Sequence, residues 1–433
     1  MSQHDLTDAL HKLTASDIAR TIHAGKATCE DVARACLARI EAREPAVQAW
    51  QYLNPDQVMA AARALDKRGG GGPLYGVPFG IKDIIDTCDM PTEYGSPIYK
   101  GHQPASDAAC VALSRTAGGL LMGKTVTTEF ANVYPGKTRH PLDPSRTPGG
   151  SSSGSGAAVG DFMVPLAIGT QTTASTIRPA SFNGVFGYRP TYGDLRCAGV
   201  KEAAGSLDTI GLLARSVEDI ALYRDVLLHA TPTPLPPTHG GAPRIGFCPT
   251  PLWPRLEPST ARLLEGAADH LGKAGASLEE VTLPSAFNDV IEVHRVISSY
   301  EFARNFTYEI ETHWDQISLP LREGRIATGL KTDINAYTEA RRAAETSRRT
   351  LDEMMLSYEV LLTASAAGEA PIGLTSTGDA SFCALWTTMH VPSISIPIFS
   401  GPHGLPVGAQ LIGKRGEDRA LLATAQWVVA QFQ

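Results

Sequence analysis

The sequence predicts an α/β fold, and two observations support this prediction. Segments with strand periodicity alternate with amphipathic helical segments, and residues 244–283 show this most clearly. There Arg244–Phe247 reads as a strand, Pro258–Ala274 as a helix and Ser277–Leu283 as a second strand. A βαβ-like unit of this kind packs on a mixed sheet. The second observation is the composition, because 43% apolar and 19% charged residues supply ample core.

The remaining elements follow from periodicity and capping signals. Residues 14–49 predict two helices, capped by Thr14 and Thr28, the second ending before Pro45. The best internal boundary is the proline-rich tract Thr231–Pro243. Further helices are predicted at Pro55–Lys67, 107–117, within 288–357 and at Asp418–Gln431, and further strands at 77–82, Tyr358–Thr363, Ser393–Ile398 and Gly408–Ile412.

Composition and charge exclude several functional classes. The net charge of −7 and the lack of a basic run argue against nucleic acid and membrane surfaces as partners. The longest apolar runs, such as Val391–Phe399, are too short to span a bilayer, and the polar N-terminus contains no visible signal peptide. The seven cysteines are scattered without a CxxC pair, which predicts reduced thiols in a cytoplasmic protein and no metal or other cofactor.

Lys82 is a candidate catalytic base. Val77, Phe79 and Ile81 alternate with Pro78, Gly80 and Lys82, so the lysine lies inside an apolar strand on a face of small residues. A lysine in a low-dielectric setting has a lowered pKa, and its neutral amine can accept a proton. A solvated surface lysine is the alternative.

The stretch Thr147–Thr191 contains two turns of small residues, and we expect them to face each other across one active site. The first is the glycine-serine loop Gly149–Gly156, and the second places Ser175 just before Arg178. Residues 150–154 also satisfy G-x-S-x-G, the nucleophile elbow of α/β-hydrolases, which would make Ser152 the nucleophile of an esterase. That elbow needs a strand before it, whereas residues 139–148 are an irregular proline-rich loop. A flexible linker is also disfavoured, because apolar elements follow directly.

A second short motif is a formal P-loop match at residues 118–125, GGLLMGKT. The P-loop mechanism needs a strand before the glycines and a helix after them. Here a helix precedes, and Leu120–Met122 reads as a buried strand, so the order argues against an ATP site.

Longer motifs resemble the amidase signature family of serine hydrolases. The similar segments are GVPFGIKD (76–83), GKTVTTEFA (123–131), PGGSSSGSGAAV (148–159), PLAIGTQTTASTIRPASFNGVFGYRPTYG (165–193) and HGLPVGAQLIG (403–413). The predicted N-terminal helices and the C-terminal strands and helix are also similar, so the resemblance covers nearly the whole chain.

The resemblance implies one compact α/β/α domain, residues 1–433, around a large twisted mixed sheet. Within it, residues 1–70 would form an N-terminal helical segment, 74–215 the catalytic core and 244–433 a C-terminal part that completes the sheet. It also implies a Ser–cis-Ser–Lys triad, with Ser175 as nucleophile, Ser151 as the bridging serine after a cis peptide bond, and Lys82 as base. The backbone N–H groups of Thr172, Thr173, Ala174 and Ser175 would form the oxyanion hole. Ser152 and Ser153 would be hydrogen-bonding neighbours.

Five positions need separate comment: four depart from the family pattern, and the role of the fifth, Arg178, has two alternatives. Thr173-Ala174 replace a usual Gly-Gly, and a positive φ there would cost about 1 kcal/mol or more. Gln171 stands where many members have Asp, and His140 where many have Asn. Arg178 resembles an arginine that some members point toward the site, where it would bind a substrate carboxylate or form a structural ion pair.

The acyl pocket is the least determined part of the site. Tyr134 and the segment Phe382–His390, with Trp386 and Thr387, are candidate lining residues, although core packing explains them equally well. Histidines such as His294 have no assigned role.

The leading functional hypothesis is an amidase acting on a small-molecule amide, with ester or carbamate side activity. The alternatives are the amidotransferase subunit of tRNA-dependent amidation, a non-catalytic binding relative and the Ser152 esterase. The sequence is also compatible with a homodimer.

Overall fold

One mixed sheet of eleven strands runs through the part of the chain that the structure describes. This computed structural model describes residues 9–238 and 241–433. The strands are β1 Trp50–Leu53, β2 Pro78–Lys82, β3 Leu120–Thr125, β4 Leu166–Gln171, β5 Phe186–Arg189, β6 Thr209–Ala214, β7 Arg244–Phe247, β8 Ser277–Glu280, β9 Val360–Ala364, β10 Ser393–Ser400 and β11 Pro406–Gly413. Their spatial order is β1-β3-β2-β4-β6-β5-β10-β11-β9-β7-β8.

The sheet mixes parallel and antiparallel pairs, as the sequence predicts. β2 is parallel to both β3 and β4, and β7 is parallel to both β8 and β9. The predicted βαβ unit is therefore confirmed: β7, the helix Pro258–Lys273 and β8 follow one another. β7 and β8 come after the proline-rich tract Thr231–Pro243, of which residues 239 and 240 lie outside the described residues, and they join the same sheet as the earlier strands.

Helices cover both faces of this sheet. β2, β3, β4, β6 and β9 are buried at every position. Since successive side chains of a strand point to opposite faces, both faces must be covered, and the fold is α/β/α. In the described residues, the α-helices of six or more residues are Ala15–His23, Cys29–Val47, Pro55–Arg68, Ala109–Thr116, Ser153–Gly160, Ile177–Asn183, Val217–Leu227, Pro258–Lys273, Val290–Asn305, Thr307–Thr312, Ile334–Met354, Ser381–Thr388 and Asp418–Ala430.

The first two helices begin where their caps predict. The side chain of Thr14 accepts a hydrogen bond from the Asp17 N–H, and Thr28 forms a full capping box with Asp31. The second helix ends later than expected: it passes through Pro45 to Val47. Pro45 lies in the last turn, where its missing N–H removes only a terminal hydrogen bond.

The P-loop interpretation does not fit the structure. Lys124 lies in β3, fully buried, and its Nζ is 3.2 Å from Asp83 Oδ1. Its Nζ also donates to the Ile85 carbonyl oxygen at 2.7 Å, so the amine is occupied by groups of the protein itself. No helix in the described residues is both long and apolar enough to cross a bilayer.

The sheet register brings several polar residues to one edge. β2 and β4 are parallel neighbours in which Ile81 pairs with Ile168, so their carboxyl ends meet at the same edge. Lys82 ends β2, Thr170 lies near the end of β4, and the turn that contains Ser175 follows β4. The helix Ser153–Gly160, which follows the glycine-serine loop, packs on both strands.

Candidate active site

Lys82 is fully buried and surrounded by hydroxyl groups. Its Nζ lies 2.7 Å from Ser151 Oγ and 2.8 Å from Thr170 Oγ1. In the described part of the chain no carboxylate lies within ion-pair distance of it, and burial lowers the pKa of Lys82 from 10.5 to about 7 despite the opposing effect of the Asp208 charge. A large fraction of Lys82 is therefore a neutral amine near pH 7.

The glycine-serine loop contains a cis peptide bond between Gly150 and Ser151, the bond that the family resemblance implies to be cis. The carbonyl oxygen of Gly150 accepts a hydrogen bond from Arg178 Nη2 at 2.6 Å. A Cβ atom at Gly150 would lie only 2.7 Å from Thr377 Cγ2, so this position requires glycine. Ser151 is buried beside Lys82.

Ser152 connects the two turns. Its N–H donates to the carbonyl oxygen of Ser175 at 3.2 Å. Its Oγ lies 3.3 Å from both the N–H and the carbonyl oxygen of Thr170. The hydroxyl is fully buried, and no strand precedes it, so the nucleophile-elbow interpretation does not fit. Ser153 donates to the Gly149 carbonyl oxygen and begins the following helix.

Ser175 lines a cavity of about 480 Å³, and its Oγ has no hydrogen-bond partner among the described residues. The backbone N–H groups of Thr173, Ala174 and Ser175 likewise have no acceptor within the described ranges. By contrast, the carbonyl oxygens of Thr172 and Thr173 accept hydrogen bonds, from His294 Nε2 at 2.9 Å and Thr387 Oγ1 at 2.8 Å. The turn thus has a free hydroxyl and free donors together.

Two of the departures from the family pattern have a structural explanation. Neither Thr173 nor Ala174 has a positive φ, so their Cβ atoms cause no left-handed strain. Gln171 uses its Oε1 to accept from the N–H groups of Thr176 and Ile177, both at 3.0 Å. An uncharged amide therefore caps the helix that follows Ser175, a role that Asp also performs at helix starts.

His140 lies within the proline-rich loop of residues 139–148. Its Nε2 lies 2.7 Å from the Phe182 carbonyl oxygen, and burial lowers its pKa. It does not line the cavity. The imidazole is therefore a neutral bridge between the proline-rich loop and the helix Ile177–Asn183.

Arg178 uses its guanidinium group to bind backbone and hydroxyl oxygens of neighbouring loops. Its guanidinium donates to the carbonyl oxygens of Gly378 at 2.5 Å and Gly150 at 2.6 Å, and to Thr377 Oγ1 at 3.0 Å. The expected structural ion pair is absent among the described residues. Although Arg178 lies at the cavity wall, two of its three guanidinium nitrogens are used to hold the loop backbone around the cis peptide bond.

The structure does not bring Trp386 to the cavity. It is 1% exposed and packs in an apolar cluster with Phe287 and Leu351. The segment Phe382–His390 mostly forms the buried helix Ser381–Thr388, and core packing explains its aromatic content, although its Ala384 lines the cavity. Tyr134 is half exposed, and its neighbour Val133, rather than Tyr134, lines the cavity.

Sequence reasoning missed four residues near this site: Thr170, Asp208, His294 and Arg325. Asp208 is buried, accepts from Thr172 Oγ1 at 2.5 Å and from two backbone N–H groups, and burial raises its pKa to about 6. Thr170 carries the same signal as Lys82, a polar residue in an apolar strand. His294 and Arg325 lie in helical segments without a motif, and both line the cavity.

One cluster in the described residues has atoms that could hold a metal ion. Ligand-type atoms of Cys88, Asp89 and Asp107 lie within 4.8 Å of one another. Arg115 already pairs with both carboxylates, at 2.6 Å and 3.2 Å, and none of these residues lines the cavity. The cavity that Ser175 lines contains no such cluster in the part of the chain described.

The Amidase family model matches residues 31–422. The chain belongs to the amidase signature family. It is thus an enzyme of a family that acts on C–N bonds. Curated relatives include a glutamyl-tRNA(Gln) amidotransferase subunit from Chloroflexus aggregans, 34% identical over 95% of both chains. The corresponding protein of Symbiobacterium thermophilum is 31% identical over the same shares.

Solved structures agree with this family assignment. An amidase structure is 29% identical, with a TM-score of 0.89 over 97% of this chain and all of the other. The peptide amidase PAM bound to the competitive inhibitor chymostatin is 28% identical, with a TM-score of 0.82 over 96% of this chain and 97% of PAM. A fatty acid amide hydrolase at 19% identity shares the fold, with a TM-score of 0.88 over 98% of this chain and 86% of that one.

Proposed function

We propose that this protein hydrolyses the C–N bond of a small-molecule amide to a carboxylate and an amine or ammonia, through an acyl-enzyme on Ser175. The observation that carries the proposal is the buried Lys82 Nζ, 2.7 Å from Ser151 Oγ, beside a turn with a free Ser175 hydroxyl and free N–H groups. A serine hydroxyl is a poor nucleophile until a base takes its proton. Neutral Lys82 is such a base, and Ser151 relays the proton from Ser175 to it.

In the first step Ser175 Oγ attacks the amide carbonyl carbon. Its proton passes to Ser151 Oγ, and the Ser151 proton passes to Lys82 Nζ. Because Ser175 Oγ has no partner among the described residues, rotation about χ1 is free to bring it against Ser151 when substrate binds. Thr170 Oγ1 accepts a hydrogen bond from Lys82 Nζ. This contact keeps the lone pair of the lysine nitrogen directed at Ser151.

The negative oxygen formed by this attack needs donors. The N–H groups of Thr172, Thr173, Ala174 and Ser175 are the proposed oxyanion hole, and one such donor is worth roughly 3–4 kcal/mol in comparable enzymes. Asp208, His294 and Thr387 hold this turn through the side chain of Thr172 and the carbonyl groups of Thr172 and Thr173.

Collapse of the tetrahedral intermediate breaks the C–N bond. The leaving nitrogen takes a proton from Ser151 Oγ, which recovers one from Lys82, so the relay returns to its starting state. Water then attacks the Ser175 ester by the same relay, and the carboxylic acid leaves as a carboxylate and a proton. Esters and carbamates form the same acyl-enzyme, so side activity on them follows.

The position of Arg325 favours a substrate whose acyl group carries a negative charge. It lines the same cavity as Ser175, and its guanidinium faces the ring of Phe302 at 5.7 Å, with no ion pair to any described carboxylate. Burial lowers the pKa of Arg325 to about 10, which leaves it cationic at neutral pH. The Asp208 charge offsets part of this effect without forming a direct ion pair. A partly desolvated cation without a direct anionic partner is costly, and a substrate carboxylate beside it would reduce that cost.

A second candidate is the catalytic subunit of a tRNA-dependent amidotransferase. The observation that favours it is the name of the curated relatives, which are such subunits at 31–34% identity over 95% of their length. In that case the same Ser175 chemistry would release ammonia from glutamine, and partner subunits would be required.

Labelling with a serine-reactive phosphonate, followed by peptide mass spectrometry, tests the nucleophile. We expect the label on Ser175 and its loss in Lys82→Ala; a label on Ser152 would overturn the proposal. The purified chain, without partners, is then assayed for ammonia release from a panel of primary amides. Turnover by the chain alone supports the amidase, whereas glutaminase activity only in the presence of partner subunits supports the amidotransferase.

Arg325→Met tests the anionic acyl group. Hydrogen bonds to charged groups predict that kcat/KM for a carboxylate-bearing amide falls roughly 10- to 100-fold, while that for its neutral analogue changes little. Equal losses on both substrates would contradict this role. Arg63→Met is the matched control, since Arg63 pairs with Glu30 at the exposed surface and neither residue lines the cavity.

A further inference from the structure

His294 lies on the helix Val290–Asn305 and lines the same cavity as Ser175, although only 4% of it is exposed. Its Nε2 is 2.9 Å from the carbonyl oxygen of Thr172. A carbonyl oxygen can only accept a hydrogen bond, so Nε2 must carry the proton. This contact fixes the tautomer of the ring, with a lone pair left on Nδ1.

The imidazole stays neutral at physiological pH. Burial is the main reason that its pKa falls to about 4, and the positive charges of Arg325 and Arg189 lower it further. Nδ1 is therefore a hydrogen-bond acceptor. Nε2 is bonded to Thr172, whereas Nδ1 has no donor among the described residues, and the side chain that carries it lines the cavity.

The chemistry of this acceptor limits what it can bind. A lone pair repels a carboxylate oxygen and attracts an N–H group. The positive potential that lowers the His294 pKa also opposes an ammonium group beside Nδ1. An uncharged N–H, as in a secondary amide or a urea, satisfies both conditions. Arg325 lies in the same cavity, where it can bind an anionic group of the same substrate.

We propose that His294 is a specificity-determining residue whose Nδ1 accepts a hydrogen bond from an uncharged N–H in the acyl part of the substrate. The preferred substrates are then amides that carry a second amide or a ureido N–H in their acyl group. This inference rests on the proposed function of the Ser175 site, which it refines.

Two substitutions separate recognition from structural support. His294→Gln retains a donor near the position of Nε2 for the Thr172 carbonyl and removes the ring acceptor. His294→Asn retains an acceptor near the position of Nδ1 and removes the donor to Thr172. A residue that only supports the turn would respond to the second substitution more than to the first.

Binding is measured by calorimetry in a Ser175→Ala background, so that the result does not depend on turnover. The probes are N-succinylglycinamide, which has a carboxylate and an uncharged N–H, its analogue with a methylene in place of that N–H, and glutamine, which has an ammonium group. We expect His294 to favour the N–H probe over the methylene probe by about 3- to 10-fold. The preference should fall to about one in His294→Gln and persist in His294→Asn.

Several results would overturn the inference. A preference that survives in His294→Gln would mean that Nδ1 is not used, and equal losses for both probes would indicate structural support alone. Tighter binding of glutamine than of the N–H probe would assign an ammonium-binding site instead. Failure of the proposed function is a separate result, since it appears as absent Ser175 labelling and absent turnover in the protein that retains Ser175.

Discussion

The pH dependence of catalysis tests the role of Lys82 most directly. Below its pKa the amine is protonated and cannot accept the proton of Ser151; above its pKa it can. Since burial places this pKa at about 7 instead of 10.5, kcat/KM should rise about tenfold per pH unit below 7 and become level above about pH 8. The difference between the two pKa values corresponds to roughly 5 kcal/mol, which is the cost of charging the buried amine.

Thr170→Val provides the matched perturbation. The threonine hydroxyl accepts a hydrogen bond from Lys82 Nζ at 2.8 Å, and it stabilises the protonated amine more than the neutral one. Without it the ammonium form becomes less favourable, so the midpoint of the profile should fall by about one pH unit. The side chains are nearly equal in volume, so packing is retained.

The assay is the initial rate of ammonia release from a primary amide between pH 5 and 9 at constant ionic strength. Circular dichroism at each pH separates loss of fold from loss of catalysis. A flat wild-type profile, a midpoint near 10, or a midpoint that rises in Thr170→Val would refute the reasoning, because each requires that Lys82 does not titrate as the buried base.

Three further substitutions test parts of the fold around the site, and a fourth, away from the site, is a control. Arg178→Met should lower the free energy of unfolding by roughly 2–4 kcal/mol, with a large fall in kcat, because the loop carbonyls lose their donors; urea unfolding and steady-state kinetics measure both. Trp386→Ala should cost about 3–5 kcal/mol of stability with little change in KM, as expected for a core residue. In Gly169→Ala the new Cβ would lie 2.5 Å from Ser152 Oγ, so phosphonate labelling should slow at least tenfold. Gly266→Ala, in an open helix position, should instead raise stability by about 0.5–1 kcal/mol.

The motifs that carry the proposed chemistry are visible in the sequence because they are local. A lysine within an apolar strand and serines among glycines stand out by residue type and spacing alone. The structure brings Lys82 to Ser151 and joins the neighbouring Ser152 to Ser175, as the two-turn hypothesis expects. Helix caps such as Thr14 and Thr28 were also predictable, since a capping box is complete within four residues.

The sequence does not predict in the same way which residues line the proposed acyl side of the cavity. Trp386 was a reasonable lining candidate by residue type, yet it packs in the core, whereas His294 and Arg325 reach the cavity from helical segments more than 100 residues beyond Ser175. No local pattern distinguishes a surface arginine from one left without an anionic partner in a cavity. That distinction depends on which groups from distant elements surround it.

The sequence by itself determined the α/β class, the family resemblance and the residues that carry the proposed chemistry, because periodicity and motif spacing are properties of contiguous chain. Only the tertiary structure decided the charge state and the partners of those residues. The pKa of Lys82 falls because β2 is covered on both faces, and Arg178 holds the Gly150 carbonyl because two separate turns fold together. Desolvation and long-range hydrogen bonding arise from the packed fold, so no window of the sequence contains them.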